Sequence, residues 1–207
     1  MRGTLPHALP EWGERPVILA FLHTGGFGLV GYWLRSQGIP CASLVDGLPP
    51  ILMQEDHWKI AVVGDLRYGL KGVPHLFHRG ERLRKAIRFL KPGHALTVAL
   101  DGAELTSDRY DAGVFPILVQ KGACRIAAQT NAIVIPVSVR RTAVCRFEIR
   151  FGNPVPDELI QREDFTGATQ YLISELWPDL KENPSDLNWT TLEALAPTLK
   201  VKRMEWP

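Results

Sequence analysis

RPVILAFLHTGGFGLVGYWLRSQGIPCASLVD, residues 15–46, is the stretch that decides the fold. It opens with a continuous apolar run at residues 17–22, which is typical of a strand buried on both faces. A glycine-rich turn follows, then an apolar helical segment at residues 27–37 and a second apolar run at residues 41–45. The order strand, turn, helix, strand predicts one unit of an α/β sheet. In such sheets ligands and reactions occur at the carboxyl ends of strands, where His23 lies.

The same alternation continues along the rest of the chain. Further helices are predicted at residues 79–90, 122–130 and 166–180, and further strands at residues 59–64, 94–100, 133–139 and 146–151. A polar loop is predicted at residues 103–110. Residues 113–119 are predicted to form a bent edge segment, because Pro116 lacks the N–H that a central strand needs. We therefore expect an α/β fold with a mixed, largely parallel sheet flanked by helices on both faces.

The length of 207 residues fits a single domain with a substantial core. We expect the domain to span residues 15–190. An irregular lead-in at residues 1–14 precedes it and a tail without a strong pattern follows at residues 191–207.

The net charge of +2 does not indicate a nucleic-acid partner. The charges are unevenly distributed, however, since residues 78–91 (HRGERLRKAIRFLK) contain six Lys or Arg and one Glu. Two interpretations stay open for this segment. It is either a solvated helix face, or a basic face directed toward anionic lipid head groups or an acidic carrier protein.

The cysteines and the apolar runs bear on the compartment. Cys41, Cys124 and Cys145 lie in apolar runs without CxxC spacing, which predicts buried thiols in a reducing compartment.

No His, Cys, Asp or Glu cluster has ligand spacing, so no metal is expected. No apolar run reaches the roughly 18 residues that span a bilayer, and residues 1–14 do not read as a signal peptide. We expect a cytoplasmic protein with peripheral contact to a membrane.

A dinucleotide site is one interpretation of the glycine-rich turn. Residues 26–31 spell G-x-G-x-x-G, and Asp46 follows at about the distance of the acid that binds a ribose hydroxyl. In the usual fingerprint the first glycine ends the strand directly. Here His23, Thr24 and Gly25 intervene, so a dinucleotide-dependent oxidoreductase is the less favoured alternative.

Several segments together resemble the lysophospholipid acyltransferase superfamily, and within it the bacterial lipid A acyltransferases of the lauroyl and myristoyl type. The resemblance covers residues 15–190 and rests on the order of its parts. These are the opening stretch with His23, the basic helix and strand that end in Asp101-Gly102, the segments KGACRIAAQTNAIVIPVSVRR (residues 121–141) and FEIRFGNP (residues 147–154), and the closing NPSDLNW (residues 183–189).

The resemblance implies a mechanism and its participants. His23 corresponds to the general base that takes a proton from an acceptor hydroxyl, which then attacks an acyl carrier protein or coenzyme A thioester. Gly25 and Gly26 would offer backbone N–H donors to the substrate, since neither has a Cβ. Asp101 and Gly102 correspond to positions near the acceptor. The thioester is a donor substrate, and no further cofactor is implied.

The chain departs from this family's pattern in three places. The acid that orients the base is replaced by Gly28. Three outcomes stay open: a remote acid such as Asp46, Asp65 or Asp101 replaces it in space, His23 works poorly but adequately alone, or the domain is a catalytically dead relative. The lead-in is short and polar where the lipid A enzymes carry a membrane helix. Asp46-Gly47 stands where those enzymes tend to have an Arg, so lipid A itself is not predicted as the acceptor.

The expected function is therefore transfer of a fatty acyl group from a thioester to a hydroxyl or amine of a lipid-like acceptor. The alternative is a catalytically impaired relative that binds lipids or acyl chains. A carboxylate within hydrogen-bond reach of His23 would favour the enzyme. Arg125 is a candidate phosphate contact at a helix start, or else a surface residue.

Overall fold

The computed structural model describes residues 2–3, 13–44, 75–76, 81–101, 108–111, 116–144 and 146–182. The predicted strand at residues 59–64, the segment at residues 183–189 and the tail at residues 191–207 lie outside these ranges.

Nine strands and five helices occur in the described ranges. The strands are β1 (Arg2–Gly3), β2 (Val17–Phe21), β3 (Cys41–Leu44), β4 (His75–Leu76), β5 (Ala95–Ala99), β6 (Asp108–Asp111), β7 (Pro116–Val119), β8 (Ile133–Ala143) and β9 (Arg146–Phe151). The helices are α1 (Leu29–Ser36), α2 (Glu81–Phe89), α3 (Gly122–Thr130), α4 (Asp157–Gln161) and α5 (Phe165–Glu182).

Seven strands form one sheet in the order β1-β9-β8-β2-β5-β3-β4. Every neighbouring pair in it is parallel except β8 and β9, which are antiparallel. Strands β6 and β7 form a separate antiparallel pair. The sheet is thus mixed and largely parallel, as the sequence predicts.

Helices cover both faces of the sheet, and β2 shows why its sequence is apolar throughout. Alternate side chains of a strand point to opposite faces. Ile18 and Ala20 belong to the core that includes residues of α2, α3, α4 and α5. Val17, Leu19 and Phe21 belong to the second core, which includes residues of α1. All five residues are buried, so the predicted doubly buried strand and the predicted α/β fold class are confirmed.

Three short elements differ from the sequence prediction. Residues 1–14 are not wholly irregular, because Arg2–Gly3 pairs in parallel with Glu148 and Ile149 of β9. Residues 103–110 are not wholly loop, because Asp108–Asp111 pairs with β7. The helix Asp157–Gln161 was not predicted after the proline-rich turn. Each element is too short to show a hydrophobic period, and Arg2–Gly3 also depends on a strand that is far away in the chain.

The described part of the chain contains no helix that is long and apolar enough to span a membrane.

Candidate active site

The site lies at the carboxyl ends of two neighbouring parallel strands. The register of β2 and β5 pairs Val17 with Ala95 and Phe21 with Ala99. Two residues beyond that last pair the chain reaches His23 on one strand and Asp101 on the other. The hydrogen bonding between the two strands continues beyond the last pair, since the Leu100 N–H donates to the Phe21 carbonyl oxygen at 2.8 Å. Sheet register therefore places the two side chains next to each other.

Asp101 accepts hydrogen bonds from both the backbone and the ring of His23. Its Oδ1 is 2.9 Å from the ring Nδ1 and 3.0 Å from the backbone nitrogen, and its Oδ2 is 3.2 Å from the same backbone nitrogen. The carboxyl side chain of Asp101 is fully buried, whereas the His23 side chain is 22% exposed. The acid is thus held inside the protein while the imidazole keeps access to its surroundings.

This contact determines which ring nitrogen of His23 carries the lone pair. An ionised carboxylate only accepts hydrogen bonds, so Nδ1 must carry the proton that lies between it and Asp101. In the neutral imidazole the lone pair is then on Nε2. The pairing also stabilises the imidazolium that forms when Nε2 takes a proton, because a negative charge lies against its other side.

Aromatic rings restrict the orientation of the imidazole further. The His23 ring meets the Phe27 ring edge-on, with centroids 4.8 Å apart and an interplanar angle of 82°. It meets Phe21 in a similar way at 5.8 Å, and the two phenylalanine rings stack at 5.3 Å. Such edge contacts hold a ring in place without competing for its nitrogen atoms.

The turn after His23 needs its glycines for conformation and for packing. Gly25 has a φ of 51°, in the left-handed region that glycine adopts at little cost. A Cβ on Gly26 would lie 2.9 Å from Leu29 Cδ1 and 3.2 Å from Phe147 Cδ1, so the side chains around it leave no room. The turn closes through the Phe27 N–H to the Thr24 carbonyl and the Leu29 N–H to the Gly26 carbonyl, at 3.2 and 2.7 Å.

Asp101 is fixed on its other side by the β6–β7 unit. It forms an antiparallel bridge with Val119, and the Gln120 N–H donates to the Leu100 carbonyl at 2.8 Å. Helix α3 begins directly afterwards, at Gly122. The strand end that carries the acid therefore lies between the His23 turn and the start of α3.

The remaining predicted site residues are distributed as follows. Gly28, at the position of the family's acid, is the N-cap of α1. Arg125 is exposed on α3. Asp46, Asp65 and Gly102 lie outside the described residues. Of the three acids offered as remote partners for His23, the structure places Asp101 at the ring.

A charged network occupies the neighbouring strand and helix. Arg140 pairs with Glu148 at 2.7 Å, Arg150 pairs with Asp179 at 2.7 Å, and the Ser138 hydroxyl donates to the Asp179 carboxylate. Burial opposes the charge on Arg150, but the Asp179 hydrogen bond and nearby carboxylates outweigh it and raise the pKa of Arg150. These cations are balanced by acids.

Two cysteines follow the sequence prediction of buried thiols. Cys41 and Cys124 are both buried and free. Burial raises the pKa of each from 9.0 to about 11, so both stay protonated thiols at neutral pH and neither is an activated nucleophile. Cys145 lies outside the described residues. Within the described ranges no group of His, Cys, Asp or Glu is arranged to hold a metal ion.

Comparison with known proteins assigns no family. No family model matches the chain, and no curated protein matches it. Among solved structures it is similar to the pilus retraction motor PilT with bound ADP, at 13% identity and a TM-score of 0.37. That likeness covers 97% of this chain and 66% of the other. It is too remote to bear on the activity or ligands of this chain.

Sequence reasoning selected His23 and named Asp101, but it expected Asp101 near the acceptor and offered it only as one of several remote acids. The two residues are 78 positions apart. The signal that links them is positional: each is the first polar ionisable residue after a buried parallel strand. Only the pairing of those two strands brings the two residues together.

Proposed function

We propose that the protein is an acyltransferase of the lysophospholipid acyltransferase type, in which His23 is the general base and Asp101 orients it. The observation that carries this proposal is the 2.9 Å contact between His23 Nδ1 and Asp101 Oδ1. The chain lacks the family's acid in sequence, at Gly28, and has an equivalent carboxylate in space.

In the proposed reaction Nε2 of His23 removes the proton of an acceptor hydroxyl or amine. The acceptor oxygen or nitrogen attacks the carbonyl carbon of an acyl thioester, and the C–S bond breaks as the tetrahedral intermediate collapses. The imidazolium returns its proton to the leaving thiolate. The Asp101 carboxylate lies against the other side of the ring and stabilises the imidazolium.

The glycine turn supplies the second element of the proposal. Negative charge develops on the thioester oxygen, and backbone N–H groups are suited to receive it. The Gly25 and Gly26 amides lie two and three residues after His23 in the chain and belong to a turn that is fixed by its own hydrogen bonds. We assign them to the thioester oxygen.

The same geometry weighs against the two alternatives. A binding-only relative has no use for a buried carboxylate that is paired with the ring and backbone of one histidine. In the dinucleotide alternative, the first glycine of the motif ends the strand directly. Here four residues separate Gly26 from Phe21, the last residue of β2.

The test is single-turnover transfer of label from a panel of acyl thioesters, with cell lipid extract as the acceptor. Wild type is expected to transfer label, and His23→Ala is expected to be slower by at least about a hundredfold, the size of a lost general base. His94→Ala is the matched control, because His94 contacts a backbone carbonyl through Nδ1 at the other end of β5.

Equal rates in wild type and His23→Ala would remove the catalytic claim. Binding of acyl chains by both proteins without transfer would replace it with the binding-only function. The labelled product of an active enzyme would identify the acceptor.

A further inference from the structure

Five exposed cations lie on two adjacent helices of one sheet face. Arg84, Lys85 and Arg88 belong to α2, Lys91 follows that helix, and Arg125 belongs to α3. Helices α2 and α3 contact each other, and both contribute to the same core. We call these five residues the basic surface.

The segments that carry the basic surface contain a single acid, Glu81, at the start of α2. Residues 82–100 contain no Asp or Glu, and neither does α3. The chain as a whole carries only +2, so the positive charge is concentrated here and not spread evenly.

The topology places one end of this surface at the active-site edge of the sheet. Helix α2 connects β4 to β5, and both strands run parallel to β3. It must therefore start at the carboxyl edge and run back to the amino edge. Leu83, in its first turn, is 43% exposed. The active-site edge and an exposed apolar residue thus lie at the same end of the basic surface.

We propose that the basic surface docks the protein onto an anionic lipid bilayer, with the edge that carries His23 turned toward the lipid. This inference rests on the proposed function, because it supplies the route by which a lipid-like acceptor reaches the base. The cations would lie among the head groups, and Leu83 would reach the boundary of the acyl region.

A bilayer fits this surface better than an acidic protein does. Protein interfaces centre on buried apolar or aromatic anchors. Here Leu83 is the single large apolar side chain of α2 that is exposed among the described residues, and it lies at one end. Fluid head groups can match cations in any arrangement, so the basic surface needs no complementary shape.

The test is sedimentation of the full chain with phosphatidylcholine vesicles that contain or lack phosphatidylglycerol. Binding is expected only with the anionic lipid and should weaken as salt is added. Each exposed cation near such a surface changes the partition coefficient about fivefold, so Arg84→Gln/Arg88→Gln should weaken binding about 25-fold. The control Arg162→Gln/Lys181→Gln removes two exposed cations outside the basic surface and should bind as wild type does.

Several results would overturn the inference. These are absence of binding, equal binding to neutral vesicles, equal loss in both double variants, or binding of the basic surface to an acidic carrier protein in place of vesicles. Circular dichroism checks that the variants fold.

His23→Ala should bind vesicles as wild type does, which separates the two proposals. Vesicle binding without acyl transfer would support the basic surface and contradict the proposed function. Transfer to a water-soluble acceptor without vesicle binding would support the proposed function and contradict the docking role of the basic surface.

Discussion

His23 and Asp101 occupy equivalent positions on neighbouring parallel strands, two residues past the last ladder pair of Phe21 and Ala99. Their contact is therefore set by backbone pairing in the middle of the sheet. The buried carboxylate also accepts the His23 N–H, so it fixes both the backbone and the ring of the same residue. The imidazole of His23 is therefore oriented by the fold itself.

The first prediction concerns the tautomer of the His23 ring. In wild type the neutral imidazole should carry its proton on Nδ1, because the carboxylate of Asp101 can only accept. Asp101→Asn offers an amide that also donates, so the preference should weaken and the Nε2–H form should appear. Long-range nitrogen–proton correlation spectra of ¹⁵N-labelled protein distinguish the two forms.

His94 provides the internal control for that measurement. Its Nδ1 lies 2.8 Å from the Phe89 carbonyl oxygen, which likewise only accepts. Its tautomer should be Nδ1–H in both proteins. A His23 ring that shows mainly the Nε2–H form in wild type would contradict the assignment of Nε2 as the base.

The second prediction concerns packing at Gly26. In Gly26→Ala the Leu29 side chain can move aside, but the Phe147 ring can do so less easily, so we expect a loss of about 1 kcal/mol or more in unfolding free energy. Gly122→Ala is the control, since a Cβ there would meet nothing within 4 Å. Urea denaturation measures both, and equal stability of the two variants would contradict the packing argument.

The third prediction concerns alkaline pH. The pKa of Cys41 and Cys124 is about 11 in the folded protein and 9.0 as the ordinary value. Above about pH 9 the unfolded chain loses these protons and the folded one keeps them, so the unfolding free energy falls as pH rises. The effect is negligible well below pH 9 and reaches about 2 kcal/mol per thiol at pH 11.

The double variant Cys41→Ala/Cys124→Ala isolates this contribution from other groups that titrate in the same range. Its unfolding free energy should fall less steeply than that of wild type between about pH 9 and 11. Parallel curves for the two proteins would show that the thiols are not the cause.

The sequence predicts the regular elements well where a hydrophobic pattern extends over the whole element. The helix at residues 122–130 and the strand at residues 146–151 have the predicted bounds, because their hydrophobic period extends over the whole element. Arg2–Gly3 pairs with the distant strand β9, and Asp108–Asp111 pairs with β7, the next strand along the chain. The residues of neither segment carry a period that predicts the pairing.

The candidate site likewise has one part that the sequence predicts and one part that it does not. His23 follows from its place after a buried strand, which a local pattern reveals. The partnership with Asp101 does not, because it requires β2 and β5 to be neighbours in register although 78 residues separate the two side chains. The family resemblance predicts an acid near His23 in the chain, whereas in this protein the acid comes from another strand.

A double-mutant cycle on acyl transfer tests the central claim most directly. Single-turnover rates would be measured for wild type, His23→Ala, Asp101→Asn and the double variant. If Asp101 acts through His23, Asp101→Asn alone should slow transfer by at least about a hundredfold, and adding it to His23→Ala should cost almost nothing more. Wild-type rates in Asp101→Asn, or losses that multiply in the double variant, would contradict the account.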